Sequence, residues 1–415
     1  MKWCAAIFVV MILMASPCCG QQWERFRGPN GSGVSSAAAI PAQWTAADYN
    51  WKIKLPGVGH SSPVLWGEKL FLTSGDEATG QRFVISLDAQ TGKQNWQRTF
   101  QAEQHRKHQL NSYASATPVV DARRVYVCWG TPEQVLVMAL DHQGRTLWQQ
   151  DLGPYRGGHG FGVSPIRTGN LLVLPDDQSG QSSLIAIDCA TGKIAWRIKR
   201  DSKSAYATPC LYQRSDGGEE LIFTSWEQGI TGVDPRTGKT NWAADVFDKS
   251  HVESSIGSPV VAGNLVLGVC GWLGHGNEVV AVRPPTEASG EASKVYRIAR
   301  GAPLCTTPLV HGDLLFLWSD NGIVSCADSA TGKIHWTKRI GKMFYASPVC
   351  TGKRVYNVDV DGTVVVLAAS KEYQLLGRND LGEASHSTPA IANGVMYLRT
   401  VSHVFSLGQP AVNKP

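Results

Sequence analysis

One unit recurs along this chain: an apolar residue followed by Asp-x-x-Thr-Gly-Lys-x-x-Trp. It runs from Leu87 to Trp96, returns as Ile187 to Trp196, Val233 to Trp242 and Ala327 to Trp336, and stands one residue shorter as Leu140 to Trp148. A second mark, Ser or Thr before Pro, keeps step with it at Ser62, Thr117, Ser164, Thr208, Ser258, Thr307, Ser347 and Thr388, with gaps of 40 to 55 residues. A period of that size means a repeat architecture, in which no unit buries its apolar face alone and each stacks on its neighbours.

The unit itself encodes a hairpin. Apolar residues before the Asp form a short strand, Asp and Thr supply side-chain caps, Gly supplies positive φ, and a second strand resumes at Lys-x-x-Trp. The Trp stands four residues past the Gly in all five copies, so it always points to the same side of its strand. Burying it yields roughly 25 cal/mol per Å² over ~200 Å². That suits a plug between neighbouring sheets, and Trp51, Trp96, Trp148, Trp196, Trp242 and Trp336 are the expected docking residues.

The 415 residues exceed one ordinary core, yet no linker divides them, and the 43 Gly, 21 Pro and 14 Trp fit an all-β, turn-rich chain. A net charge of +5 with scattered basic residues argues against nucleic acid as the main partner. Residues 1–20 read as an export signal: Lys2, an apolar run from Ala5 to Ala15 too short to span a bilayer, then a stretch of small residues ending at Gly20. The competing reading is a lipoprotein signal at Cys18 or Cys19, which Pro17 fits poorly. Of ten cysteines, seven lie beyond this segment, an odd number that cannot pair completely within one chain.

Trp51-Lys52-Ile53-Lys54-Leu55 looks like a repeat-ending strand with no repeat before it, and residues 387–407 open a repeat that stops before its Trp strand. The two halves complement each other. The expected fold is therefore an all-β, eight-bladed β-propeller of four-stranded antiparallel blades, with the N-terminal strand closing the last blade. The blades fall at 59–100, 112–152, 158–200, 204–246, 253–300, 301–340, 342–381, and 382–408 joined by 50–55. This divides the chain into a signal (1–20), an extension (21–49), the propeller (50–408) and a tail (409–415). Blade 5 has an insertion (Pro284 to Ser293) in place of its tight turn and Tyr296 in the Trp position; blade 7 has no docking Trp.

These repeats resemble those of the pyrroloquinoline quinone (PQQ) propellers, which include quinoprotein alcohol dehydrogenases and the propeller lipoprotein of the outer-membrane-protein assembly machinery. The opening Trp23-Glu24-Arg25-Phe26-Arg27-Gly28-Pro29-Asn30-Gly31, with Gly59-His60-Ser61-Ser62-Pro63, is similar to a secreted PQQ-like group of planctomycete-type genomes. The resemblance covers nearly all of the chain beyond the signal and speaks for fold before chemistry. For the dehydrogenases it implies a vicinal disulfide over the quinone, Glu, Asn and Asp side chains on Ca²⁺, and an Asp base. Here the adjacent cysteines, Cys18 and Cys19, fall in the signal segment, and the chain is much shorter than such enzymes.

In a four-stranded meander the Thr-Gly-Lys turns lie on one face, and the segments entering the inner strands lie on the other. Residues just before each Ser/Thr-Pro then ring one mouth of the channel: His60, Tyr113, His159, Tyr206, Glu253, Cys305, Tyr345 and His386. Residues 101–108, Asp176-Asp177 and residues 271–278 are expected on that same face. His and Glu bind metals or shuttle protons, and Tyr stacks; the competing account is a generic polar channel whose side chains only satisfy backbone groups. His105-Arg106-Lys107-His108 reads as a solvated basic loop. Asp359-Val360-Asp361-Gly362 lacks calcium-loop spacing and reads as a tight hairpin. The expected function is an exported, monomeric, non-catalytic binding platform of the periplasm or cell envelope, its partner an envelope protein or a small ligand. The alternative is a PQQ-dependent oxidoreductase, with PQQ and Ca²⁺ as its cofactors.

Overall fold

The computed structural model describes residues 22–37, 40–203, 205–251, 254–272 and 276–409. The signal reading of residues 1–20 and nearly all of the tail lie outside them. The described chain forms eight sheets, each with four antiparallel strands and one carrying a fifth strand added in parallel, with only two short 3-10 turns, Pro29–Gly31 and Ala46–Asp48. Blade 1 shows the pattern: Val64–Trp66, Lys69–Gly75, Arg82–Asp88 and Gln94–Phe100 pair in chain order from the axis outwards. The two middle strands are apolar on both faces, as in Leu70-Phe71-Leu72 and Val84-Ile85, because each blade is sandwiched between two others. The outer strand is largely exposed.

The ring closes as the sequence predicts. Ala390–Ala392, Val395–Arg399 and His403–Gly408 make three strands of blade 8, and Tyr49–Lys54 supplies the fourth, antiparallel to His403–Gly408 with Trp51 opposite Ser406. One chain thus joins its own ends, and no blade is left with an open edge inside the ring.

The Trp positions dock between blades through one repeated contact. In the first unit Asp88 Oδ1 accepts hydrogen bonds from the Thr91 N–H and hydroxyl, both at 2.8 Å, and Gly92 takes φ 72°. The Trp51 indole of blade 8 lies against that turn so closely that a Cβ on Gly92 would stand 2.7 Å from it. Its Nε1–H donates to the Ala89 carbonyl at 3.1 Å. Glycine is therefore required twice, for its backbone and for its missing side chain. Trp96 on Gly144, Trp148 on Gly192, Trp196 on Gly238 and Tyr296 on Gly332 repeat the approach, each from one blade to the next.

Two blades depart from the pattern, each for a local reason. Blade 5 offers no Thr-Gly turn, so Trp242 lies on Gly232 of its own blade and donates to the buried Glu220 carboxylate at 2.6 Å. Arg214 supplies that carboxylate with a cation at 3.0 Å. In blade 7 the Trp position holds Gly377, opposite Val366. The extension fills that space: Gln43 bonds the Leu376 carbonyl, Trp44 N–H donates to Asn379 Oδ1, and Trp44 joins the core shared with Val364 and Val366.

The first part of the extension crosses the axis. Trp23 bridges Leu65 of blade 1, and the Glu24 carbonyl takes the Val120 N–H of blade 2. Arg25 donates to the Pro209 carbonyl of blade 4 at 2.6 Å, and Asn30 pairs both ways with Leu211. Arg27 donates to the Pro348 carbonyl of blade 7 at 3.1 Å, and Val34–Ser35 runs parallel to that blade's inner strand. The Trp23 to Gly31 motif is thus a plug tied to four inner strands. Gln22, the first described residue, accepts from Gly67 N–H through its side chain at an inner hairpin turn, on the side opposite the loop-rich mouth.

Candidate functional site

The Ser/Thr-Pro positions make a belt. Ser62 N–H donates to Thr117 Oγ1 at 3.0 Å, and Thr117 N–H to Ser164 Oγ at 2.9 Å. The relay resumes from Thr208 to Ser258, Thr307, Ser347 and Thr388 at 2.9–3.1 Å. Each bond joins adjacent blades at the narrowest radius, where backbone N–H groups lie beyond the last strand pairing and need another acceptor. The Pro that follows fixes φ and has no N–H to satisfy.

Above the belt lies a cavity of about 550 Å³ with Phe26 of the plug at its floor. The residue two places before each belt position lines it in every blade. His60, Tyr206, Cys305, Tyr345 and His386 are the chemical ones; Ser115, Gly162 and Ile256 hold the corresponding places in blades 2, 3 and 5. Of the predicted ring, His159 also lines the cavity, reaching in from a longer loop. Tyr113 does not. It stands four places before Thr117, so its ring turns into an adjoining recess, where its hydroxyl donates to the His105 carbonyl at 2.7 Å and Arg82 stacks at 4.1 Å. Glu253 lies outside the described residues.

The cavity brings rings together from distant blades. His60 and His386 pack with centroids 4.5 Å apart, and Tyr345 meets His386 edge-on at 5.2 Å. On the other side His159 meets His108 at 5.0 Å and Trp272 at 6.3 Å, and its Nδ1 lies 3.2 Å from the Tyr206 hydroxyl. Burial, with His386, Arg399 and Lys107 nearby, pushes the His60 imidazole down to about 3, and burial lowers His386 and His159 as well. The His60, His386 and His159 rings are therefore neutral at pH 7. Burial, then Asp320, push the Cys305 thiol well up.

Other predicted features resolve into structure. Lys107 pairs with Glu77 at 2.8 Å, while its neighbour His108 enters the cavity, so the basic loop is divided between surface and site. Asp176 and Asp177 do not reach the mouth; Asp177 is buried 3.4 Å from Arg200. Asp359 caps its hairpin through Asp361 and Thr363 N–H groups. Trp272, within the 271–278 segment expected on this face, lines the cavity, whereas sequence reasoning missed the plug, the belt, and the apolar wall of Leu110, Ile256 and Leu304. The strict two-residue offset from each Ser/Thr-Pro was the available signal for most of that lining.

A calcium-held quinone does not fit this donor set. The described lining residues include no carboxylate, and among the described residues no group of three or more His, Cys, Asp or Glu side chains is arranged to hold a metal ion. Ca²⁺ takes six to eight oxygens, carboxylates foremost. Among the described residues no two cysteines are joined in a disulfide.

Fold, turn chemistry and closure define an eight-bladed propeller of the PQQ-repeat class. Within that class the chain belongs to the family described as outer membrane protein assembly factor BamB, whose pattern matches residues 132–286 and 278–407. It is 22% identical over 344 residues to the outer membrane protein assembly factor BamB of Yersinia pestis, covering 82% of this chain and 72% of that protein. It is 25% identical over 277 residues to a polyvinylalcohol dehydrogenase of Pseudomonas sp., but spans only 40% of that enzyme's length. Among solved structures it is similar to BamB from Moraxella catarrhalis, with a TM-score of 0.65 at 14% identity over 91% of this chain and all of that one. It also matches a europium-containing methanol dehydrogenase at 0.56 and 10% identity, covering 94% and 98% of the two chains. Likenesses so remote in sequence show the fold alone.

Proposed function

We propose that this protein is a non-catalytic binding platform of the cell envelope, exported through its first 20 residues, whose mouth face is the recognition surface. The observation that carries this reading is the unequal chemistry of the two faces. The turn face repeats one contact between blades, whereas the mouth gathers four His, two Tyr and a Trp around a blind cavity. The relatives named as assembly factors support an envelope setting. No helix among the described residues is long and apolar enough to cross a membrane. The oxidoreductase alternative is disfavoured because the described lining residues include no carboxylate.

The test is co-purification of envelope partners in the source organism with wild type and with Trp272→Ser/Tyr345→Ala. Trp272 and Tyr345 are mouth residues outside the blade-docking contacts. Loss of a partner at unchanged melting temperature supports the reading; full retention rejects the mouth as the recognition surface.

A further inference from the structure

Four guanidiniums lie buried without a salt bridge among the described residues, three of them about the axis and the fourth, Arg82, in the recess beside Tyr113. Arg25 and Arg27 of the plug, Arg82 of blade 1 and Arg399 of blade 8 are 4%, 0%, 2% and 1% exposed. None forms an ion pair among the described residues. Apart from the Tyr113 ring, their partners are neutral oxygens: Arg25 and Arg27 take the carbonyls already named, Arg82 that of Gly80, and Arg399 the Ser61 and Thr73 carbonyls and the Ser61 hydroxyl. The Nε of all four has no hydrogen-bond partner, nor has Arg27 Nη1 or Arg399 Nη2. Burial lowers Arg25 and Arg82 to about 10, and Arg27 and Arg399 to about 9, leaving all four charged at neutral pH. Carbonyl dipoles solvate a buried cation but do not cancel its charge, and a low-dielectric wall carries that field into the nearest cavity.

That cavity is rich in donors and poor in acceptors. Six belt residues line it, Ser62, Thr117, Ser164, Thr208, Ser347 and Thr388. Four of these hydroxyls each accept a backbone N–H, which leaves the O–H proton available. The described lining holds no carboxylate to compete for those protons, and Phe26, flanked in sequence by Arg25 and Arg27, forms the floor. Higher up, the rings of His159, Trp272 and Tyr206 face those of Tyr345 and His386 across the opening.

We infer that the cavity is a receptor site for a small organic anion, its oxyanion group on the belt hydroxyls above Phe26 and its flat body between the aromatic rings. The inference rests on the mouth being the recognition surface and adds the ligand's charge and shape. Donors arranged around a fixed positive field favour a group that needs no protons of its own.

The experiment is calorimetric titration of the full chain with benzenesulfonate, its near-isosteric neutral benzenesulfonamide, and benzylamine. The sulfonate should bind saturably, about tenfold or more tighter than the sulfonamide, with the amine weakest and the sulfonate affinity falling with added salt. Thr208→Val removes a cavity hydroxyl that takes no backbone N–H in the belt relay. It should weaken the sulfonate several-fold, leave the sulfonamide nearly unchanged and keep the melting temperature. Equal binding of sulfonate and sulfonamide, preference for the amine, or no binding by any probe overturns the inference. If the probes are equal while the Trp272→Ser/Tyr345→Ala variant still loses its partner, the platform stands and the ligand class falls. If the sulfonate is preferred while that partner is retained, the cavity remains an anion site and the platform falls.

Discussion

The turn face and the mouth are built by the same eight blades and differ in how they use repetition. At the turns the same side chains recur, Asp, Thr and Gly receiving an indole from the preceding blade, and Trp51, Trp148 and Trp196 are all buried there. At the mouth only the backbone geometry recurs. The position two residues before the belt is His, Ser, Gly, Tyr, Ile, Cys, Tyr and His in turn. Where a contact holds blades together the ring copies it; where a position faces the cavity each blade carries its own residue. Repeated chemistry marks what folds the ring, and varied chemistry on a repeated frame marks what the ring presents.

The largest effect that tests this division is expected from Trp148→Ala. Removing an indole seated on Gly192 leaves a cavity between blades 2 and 3, and a loss of about 3–5 kcal/mol is expected in urea unfolding. The folded fraction should retain the probe affinities of the wild type; a loss of those affinities would mean that the two faces are coupled.

Trp44→Ala tests the borrowed contact. Trp44 belongs to the core shared with Val364 and Val366, next to Ala42 and Gln43, which cover the Gly377 position left without a docking residue, so about 3 kcal/mol is expected. Hydrogen exchange should rise first in Thr363–Ala368, beside the seam with blade 8. Uniform loosening of all blades would argue that the extension does not serve this seam.

Thr117→Val sharpens the account of the belt. The substitution keeps the shape and removes the acceptor of the Ser62 N–H, at a cost of about 1–3 kcal/mol. An unchanged unfolding midpoint would show that the relay around the axis adds nothing to stability.

At neutral pH the smallest expected effect lies at the mouth, because there it emerges only in acid. His60 is held near 3 in the folded chain against about 6.5 when unfolded. The unfolded state therefore binds the proton that the folded state refuses. His60 contributes its full share of stability above pH 6.5 and loses it as the pH falls from 6.5 towards 3. His60→Gln should flatten the stability curve in that window and change little at pH 7.5. An equally steep curve in the variant would remove His60 as the source.

The fold was legible because each unit states its own hairpin: Asp88, Thr91 and Gly92 sit within five residues, and local capping decides their turn. Closure was legible because Trp51 is an outer strand without a blade. The partner of each Trp was not, since Trp148 finds Gly192 over 44 residues, and sequence shows the spacing but not the stacking. Tyr113 was misplaced for want of two residues of register, which carry a side chain from the cavity into the recess beside it. The plug was visible as the Trp23 to Gly31 motif, yet its meaning depends on carbonyls of Pro209 and Pro348 more than 180 residues away.

Site-specific photo-cross-linking from the two faces tests the central claim most directly. A benzoylphenylalanine placed at Trp272 or Met343 probes the mouth, and one at Ile194 or Ile334 probes the start of the outer strands beside the turns; all four side chains are exposed. In the source organism the account predicts adducts with an envelope protein from the mouth positions and none from the turn positions. Adducts from Ile194 and Ile334 alone would contradict it, placing recognition on the face assigned here to holding the ring together.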